Sequence, residues 1–279
     1  MSKEKEKEIG TLYIVATPIG NLEDITIRAI NTLKKVDLIA AEDTRHTLKL
    51  LNYLEISKPL ISYHRHNENI KTELLIENLK KGKNIALVSD AGTPGICDPG
   101  EEAIKQCIEE NINVVSIPGP CAMVNALICS GLDTKEFVFL GFLPLNKKNR
   151  KEKLEEIFNE TRTSILYEAP HKITNTLKDL KEVIQNRKIV LARELTKIHE
   201  EYIREDIDKL IGISKDLKGE MVLIIEGGEV KKENNFENLS IEEHYKYYEE
   251  KGLGKKEIIK KIAKDRKVNK NEIYKYFVK

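Results

Sequence analysis

Short apolar runs alternate along the chain with longer stretches in which apolar positions recur every three or four residues. In the first half the apolar runs are "TLYIVA" (Thr11 to Ala16), "VDLIAAED", "PLISYH", "NIALVSD" and "NVVSIPGP". Each has the length and β-branched content of a buried strand. The spacing between them predicts helices. Asp24 is placed to cap one that carries Ile27, Ile30 and Leu33 on one face. Asp43 is placed to cap the next, with Leu48, Leu51 and Leu54 on its apolar side. Glu68 to Lys81 reads as helical and stops at Gly82, and a fourth helix runs from about Gly100 to Glu110. Strands that alternate with helices imply βαβ units and a largely parallel sheet.

The helical stretch "CAMVNALICSG" then leads to a second series: "FVFLGFLP", "TSILYEA", "KIVLARELT", "EEYIREDI" and "EMVLIIEG". Consecutive strands late in this series predict a mixed sheet. "GGEVKKENNFENLS" is polar and reads as a linker. The stretch from Ile241 to Lys279 reads as short, helical and basic. Within it, "KKEIIKKIAKDRKVNKNEIYKYF" predicts two helices around "RKVN", a helix-turn-helix-like hairpin. Ile258, Ile259, Ile262, Val268, Ile273, Tyr274 and Phe277 are its expected small core. The expected organisation is an N-terminal α/β domain over residues 1–120, a second α/β domain over 121–230 and a basic tail over 240–279.

The length of 279 residues agrees with two domains and an appendage, at roughly 150 residues per domain. No apolar run approaches the ~20 residues of a membrane-spanning helix. "MSKEKEKEIG" lacks the character of a signal peptide, so a cytoplasmic protein without a membrane partner is expected. Cys97, Cys107, Cys121 and Cys129 form no CxxC pair and read as reduced thiols. His64 and His66 have no third ligand near them in sequence, so no metal site is expected. The net charge is only +1, but it is unevenly spread. From Lys251 to Lys279 there are eleven Lys/Arg and three acids, a net of +8, which leaves −7 on the preceding 250 residues. Such asymmetry marks either a module that meets a polyanion or a solvated lysine-rich surface.

Three loops rich in Gly and Pro follow strands of the first half: "TPIGN", "SDAGTPGICDPG" and "PGPCA". Parallel strands bring such loops to one edge of a sheet, where open α/β folds bind ligands. Gly92, Gly95 and Gly100 allow positive φ or close approach, while Pro94 and Pro99 fix φ. The phosphate-binding pattern GxxxxGK[ST] is absent, and so is GxGxxG after the first strand.

"LYIVATPIGNLEDIT", "AEDTRHTLKLL", "SDAGTPGICDPG", "PGPCA", "YEAPHK" and "RELTKIHEE" occur in this order. The set resembles the ribosomal RNA small subunit methyltransferase I family, a branch of the tetrapyrrole-methylase-like (class III) S-adenosylmethionine methyltransferases. The resemblance spans residues of about 10 to 230, and Cys97 and Cys121 stand where Ser is common in that family. It implies two α/β domains with the cofactor in the cleft between them, and a homodimer. It implies cofactor contacts from Pro18 and Ile19, from Asp90, Ala91, Gly92 and Thr93, from Cys121 and Ala122, and from Tyr167, Ala192 and Met221. The reaction it implies is methyl transfer to the ribose 2′-hydroxyl of a cytidine (position 1402) in the decoding region of 16S rRNA, within the 30S subunit and not on DNA.

A 2′-hydroxyl is a weak nucleophile, so a proton acceptor or orienting group is expected. Asp43 and Arg45 of "AEDTR" and His64 of "SYHRHNE" follow strands that should end at the same sheet edge. Glu168 and Glu194 are candidates of the same kind. Each has a plain structural reading beside the catalytic one: a helix cap for Asp43, a surface ion pair for Arg45, a strand-end histidine for His64. Two other functions fit the same fold: methylation of a small molecule such as a tetrapyrrole, and RNA binding without catalysis.

Overall fold

The computed structural model describes residues 8–229, 236 and 239–277. Residues 1–7, most of the segment read as a linker, and the last two residues of the basic tail lie outside the described residues. The chain divides into two units, residues 1–228 and 229–279.

The first unit holds two five-stranded sheets. Strands β1 (Leu12–Val15), β2 (Leu38–Ala41), β3 (Leu60–Ser62), β4 (Ile85–Val88) and β5 (Val114–Ile117) are all parallel, in the order β3-β2-β4-β1-β5. Alternate residues of β4 serve opposite faces, as a pleated strand requires. Ile85 and Leu87 pack with Leu75 and Leu79 of α3 (Glu68–Lys80) and Ala103 of α4 (Glu101–Glu109). Ala86 and Val88 pack with Ala29 and Leu33 of α1 (Ile27–Lys35) and Leu51 of α2 (Thr44–Tyr53). Helices on both faces explain why the central strand is a continuous apolar run.

Two expectations for these helices change. The cap of α1 is Thr26, whose Oγ1 accepts the Ala29 N–H at 3.1 Å, while Asp24 lies in a 3₁₀ turn, Leu22–Asp24. Ile27 is consequently in the first turn and 78% exposed. In α2, Leu48 is exposed and the buried face is Thr47, Leu50 and Leu51. A strict three-residue spacing drifts by about 60° per step around a helix of 3.6 residues per turn, so Leu48 and Leu51 do not share a face centre.

The second sheet is mixed. It runs β6-β7-β10-β8-β9, from β6 (Phe137–Phe142), β7 (Thr163–Glu168), β8 (Ile189–Arg193), β9 (Glu201–Ile203) and β10 (Met221–Ile225). β6 and β7 are parallel, and the other pairs are antiparallel. Leu166, Leu191 and Leu223 form one face with α6 (Lys147–Asn159), α7 (Ile173–Ile184) and α8 (Ile207–Ile213). Ile165, Val190, Ala192, Val222 and Ile224 form the other with α5 (Ala122–Ile128), and Ile19 from the loop after β1 packs on this cluster. The loops of the first sheet therefore meet the second sheet directly. Among the described residues no helix is long and apolar enough to cross a membrane.

The second unit has three described helices, α9 (Ile241–Glu249), α10 (Lys255–Asp265) and α11 (Lys270–Phe277). Its core is Tyr248, Ile258, Ile259, Ile262, Ala263 and Ile273, with Phe277 partly buried against it. Val268 and Tyr274, expected in that core, are exposed at 38% and 51%. Val268 sits in the turn after Lys267, and Tyr274 follows the inward Ile273 by one residue on the helix. His244 is fully buried and stacked on Phe236 at 3.8 Å. Arg266 Nε donates to its Nδ1 at 3.2 Å, and the Asp265 carboxylate lies 3.2 Å from Nε2. Burial holds the His244 pKa below its ordinary value against the pull of Asp265.

Candidate active site

β4, β1 and β5 are adjacent, so the three shaped loops leave the sheet side by side. Backbone bonds join them. Thr17 and Gly92 exchange N–H···O bonds of 2.8 and 3.0 Å, and the Thr17 hydroxyl donates to the Ser89 carbonyl at 3.2 Å. The Thr93 hydroxyl donates to the Pro120 carbonyl at 3.2 Å. Gly92 has φ +78°, and a Cβ there would stand 3.4 Å from Ile19 Cγ2. The middle loop is held at its far end as well. The Gly100 N–H donates to Glu68 at 2.9 Å, and the Arg65 guanidinium donates to the Cys97 carbonyl.

These loops and the second sheet enclose a cavity of about 350 Å³. From the first sheet it is lined by Ile19, Asp90, Ala91, Gly92, Thr93, Cys121 and Ala122, and from the second by Tyr167 and Met221. Pro18 and Ala192 do not line it: Ala192 is fully buried in β8, packed beneath the lining surface. The Tyr167 hydroxyl accepts the Met123 N–H at 3.1 Å, and its ring meets Phe139 and Phe142 edge-on at 4.9 and 5.7 Å. Burial pushes the phenol pKa well up, which keeps it neutral.

The loop of "RELTKIHEE" closes another side. Glu194 and Thr196 are both left-handed, at φ 50° and 67°. Glu194 pairs with Lys197 at 2.9 Å, and both line the cavity. A Cβ at Gly219 would lie 1.8 Å from Glu194 Oε1, so only glycine there admits this side chain.

Asp43, Arg45 and His64 do not line the cavity. Asp43 is the N-cap of α2, accepting the Arg45 N–H at 2.8 Å, and its carboxylate pairs with the Arg45 guanidinium at 2.7 Å. Arg45 holds the Asp43 carboxyl well below the usual range, while its own side chain is 88% exposed. The Asp43 N–H donates to Asp90 at 2.9 Å, so the pair abuts the wall without facing inward. The His64 N–H donates to Asn67 at 2.9 Å, its Nε2 lies 3.2 Å from Asn67 Nδ2, and its Nδ1 is buried without a hydrogen-bond partner.

Several lining residues escaped the sequence reading: Glu42, Asp98, Phe142, Lys197, Glu220, Leu195 and Val222. Glu42 had a signal, since it stands in "AEDTR" beside Asp43, and Asp98 lies in the same shaped loop as Asp90 to Thr93. Burial raises the pKa of both. Asp98 reaches about 7, through burial first and then the Glu42 charge, against the pull of Arg65.

A family model described as Tetrapyrrole (Corrin/Porphyrin) Methylases matches residues 11–211. Ribosomal RNA small subunit methyltransferase I of Halalkalibacterium halodurans is 48% identical, over 98% of this chain and 96% of that protein. The Bacillus subtilis protein of the same name is 48% identical over the same shares. That of Haemophilus influenzae is 52% identical over 82% of each chain. Among solved structures, diphthine synthase superposes with a TM-score of 0.61 at 14% identity, covering 78% of this chain and 90% of that one. Uroporphyrin-III C-methyl transferase of Thermus thermophilus, complexed with S-adenyl homocysteine, gives 0.57 at 15% identity over 79% and 98%.

Proposed function

This chain belongs to the ribosomal RNA small subunit methyltransferase I family, within the tetrapyrrole methylases, and from that membership we propose that it methylates 16S rRNA using S-adenosylmethionine. The acceptor in this reading is the ribose 2′-hydroxyl of a cytidine in the decoding region, on the 30S subunit in the cytoplasm. The observation that carries the reading is the cavity where three loops of a parallel sheet meet a second sheet.

The lining fits the cofactor. Its apolar part, Ile19, Leu195, Met221 and Val222, suits a flat base. Its carboxylates, Asp90 among them, suit ribose hydroxyls and a cationic centre. The backbone from Asp90 to Thr93 and from Cys121 to Ala122 supplies the close wall, and Ala192 packs in the cluster beneath it. When bound, the cofactor supplies a methyl group on a positively charged sulfur. The chain's task is then positional: the walls would hold the acceptor hydroxyl against the bound cofactor and keep water out. Arg45, fixed by Asp43 at the exposed end of β2, contacts a phosphate of the substrate strand. His64 orders the neighbouring loop through Asn67.

A second copy of the chain covers the open apolar depression of about 760 Å³ lined by Pro94, Ile96, Ile104, Ile108, Ile112 and Val114, beside the edge strand β5. Sedimentation of the purified protein tests this homodimer, and a monomer at micromolar concentration rejects it. The reaction is tested with methyl-labelled cofactor and 30S subunits from a strain lacking the modification. Mass mapping should find the label on one cytidine ribose. Label on a base, or transfer only to a small tetrapyrrole, rejects the reading.

A further inference from the structure

β6 is the edge strand of the second sheet, and it ends beside the cavity together with β7. Phe142 is paired with Tyr167, and Glu168 with Met221. The segments that leave these two strands are Leu143 to Lys151 and Ala169 to Lys178. Together they carry five lysines, one arginine and no acid, within the 250 residues whose net charge is −7. Arg150 pins the two segments to each other. Its Nε pairs with Asp179 at 2.6 Å, and its Nη2 donates to the Thr176 hydroxyl at 2.9 Å. That hydroxyl donates in turn to Glu168, a residue of the cavity lining, at 2.5 Å.

Arg150 thus occupies the first acid of α7 and leaves its lysine neighbours unopposed. Lys147, Lys148 and Lys151 are exposed and Lys172 is half-buried, and none of the four joins an ion pair among the described residues. Lys147 and Lys148 open α6, and Lys172 is the N-cap of α7. A cation at those places opposes the helix dipole, so these lysines do not serve helix stability. Lys147 and Lys151 lie one turn apart, about 6 Å along the helix axis. Phe142 stands at the head of the surface. It lines the cavity and meets the Tyr167 ring edge-on at 5.7 Å, yet it is 51% exposed. A ring half in water, followed by a row of unopposed lysines, matches how proteins hold single-stranded nucleic acid. The ring stacks on a base and the lysines follow the phosphates.

We propose that this surface holds the single-stranded RNA next to the acceptor nucleotide. A base stacks on Phe142 at the cavity mouth, and Lys147, Lys148, Lys151 and Lys172 contact the phosphates that follow it. This rests on the methyl-transfer reading above and specifies the form of its substrate. Stacking on a protein ring needs an unpaired base, so the strand is single at that point. Phosphate contacts fix register and orientation without reading sequence. The surface therefore supplies grip and direction, and the choice of nucleotide stays with the cavity.

The test uses the full-length protein and unmethylated 30S subunits, with filter binding across a salt series beside transfer of label from the cofactor. The triple variant Lys147→Gln, Lys148→Gln, Lys151→Gln should bind 30S subunits about tenfold or more weakly near physiological salt. Its slope of log affinity against log salt should fall by about two, at ~0.7 per phosphate of a single strand. Its affinity for S-adenosylhomocysteine, read by calorimetry, should stay within about threefold. Phe142→Leu keeps an apolar side chain but removes the ring. It should weaken 30S binding by about five- to 150-fold with the slope unchanged, and Phe142→Tyr should restore it. The control, Lys34→Gln with Lys35→Gln, removes two exposed charges before β2, at the opposite edge of the first sheet, and should keep the wild-type slope. An unchanged slope in the triple variant overturns the proposal, and so does an equal flattening in the control. A triple variant that keeps its slope but changes its sedimentation gives the surface to a second copy of the chain and overturns it as well. A Phe142→Leu protein that loses cofactor affinity as steeply as 30S affinity removes the stacking role. Wild-type enzyme that transfers no label to 30S subunits brings down the methyl-transfer reading first, before any variant is compared.

Discussion

Gly92 bears two constraints at once. Its φ of +78° is one that a β-branched residue adopts at a cost of about 1–3 kcal/mol, and its α-carbon faces Ile19 across the cavity wall. Gly92→Val should therefore leave the two sheets folded but weaken S-adenosylhomocysteine binding by about 100-fold or more, roughly 2.7 kcal/mol. Calorimetry on a variant with a wild-type circular dichroism spectrum decides it, and unchanged affinity would remove Gly92 from the wall. Arg45 makes the opposite case. Its guanidinium is fixed by Asp43 but open to solvent, which suits the phosphate contact proposed for it. Arg45→Ala should raise KM for 30S subunits, leave kcat and cofactor affinity within about twofold, and reduce the salt slope of binding by about one. A loss confined to kcat would return Arg45 to the chemical step.

Elements were legible in this sequence where one physical signal dominates. The ten strands of the described residues were legible because most are short apolar runs closed by Gly, Pro or an acid, while β3 is closed by Tyr63 and His64 and β9 is largely polar. The three wall loops were found because parallel strands force successive loops to one edge. Helix starts were less legible, because two residues compete for a cap within a few positions. Asp24 and Thr26 both qualify by type, and only the geometry selects Thr26, which also donates to the Pro118 carbonyl at 3.3 Å. Thr26→Ala should cost about 1 kcal/mol in urea unfolding, whereas Asp24→Ala should change stability by no more than about 0.5 kcal/mol. Equal losses would show that the 3₁₀ turn is part of the cap. Residues of the site that come from distant segments were least legible. Lys197 and Glu194 reach the cavity because Gly20 and Gly219 lack side chains, a pairing that no local pattern reveals. Asp98 lines the cavity and Asp43 does not, a difference that motif and spacing do not reveal because exposure is a property of the folded chain.

At the scale of the molecule, charge is unevenly spread along the chain. The last 29 residues carry +8 and the rest −7. In α10 and α11 the apolar positions Ile258, Ile259, Ile262 and Ile273 turn inward, which leaves Lys255, Lys256, Lys260, Lys261, Lys264, Lys270 and Lys275 on the outside. An exposed cationic face of this size gives affinity for a polyanion without reading its sequence, and each phosphate contact adds to the salt dependence. In the proposed reading, the tail's attraction is what brings the substrate strand close. Removing residues 240–279 should weaken 30S binding by about tenfold or more near physiological salt and flatten its slope against log salt. Cofactor affinity and the methylated nucleotide should be unchanged, because the cavity is built entirely from residues before 229. Filter binding across a salt series, beside calorimetry on the same truncated protein, separates these effects. A truncated protein that keeps the full salt slope but melts at a lower temperature would assign the tail to stability. The RNA grip would then have to be sought on the first unit, where Arg45 is the outward-facing cation already placed near the wall.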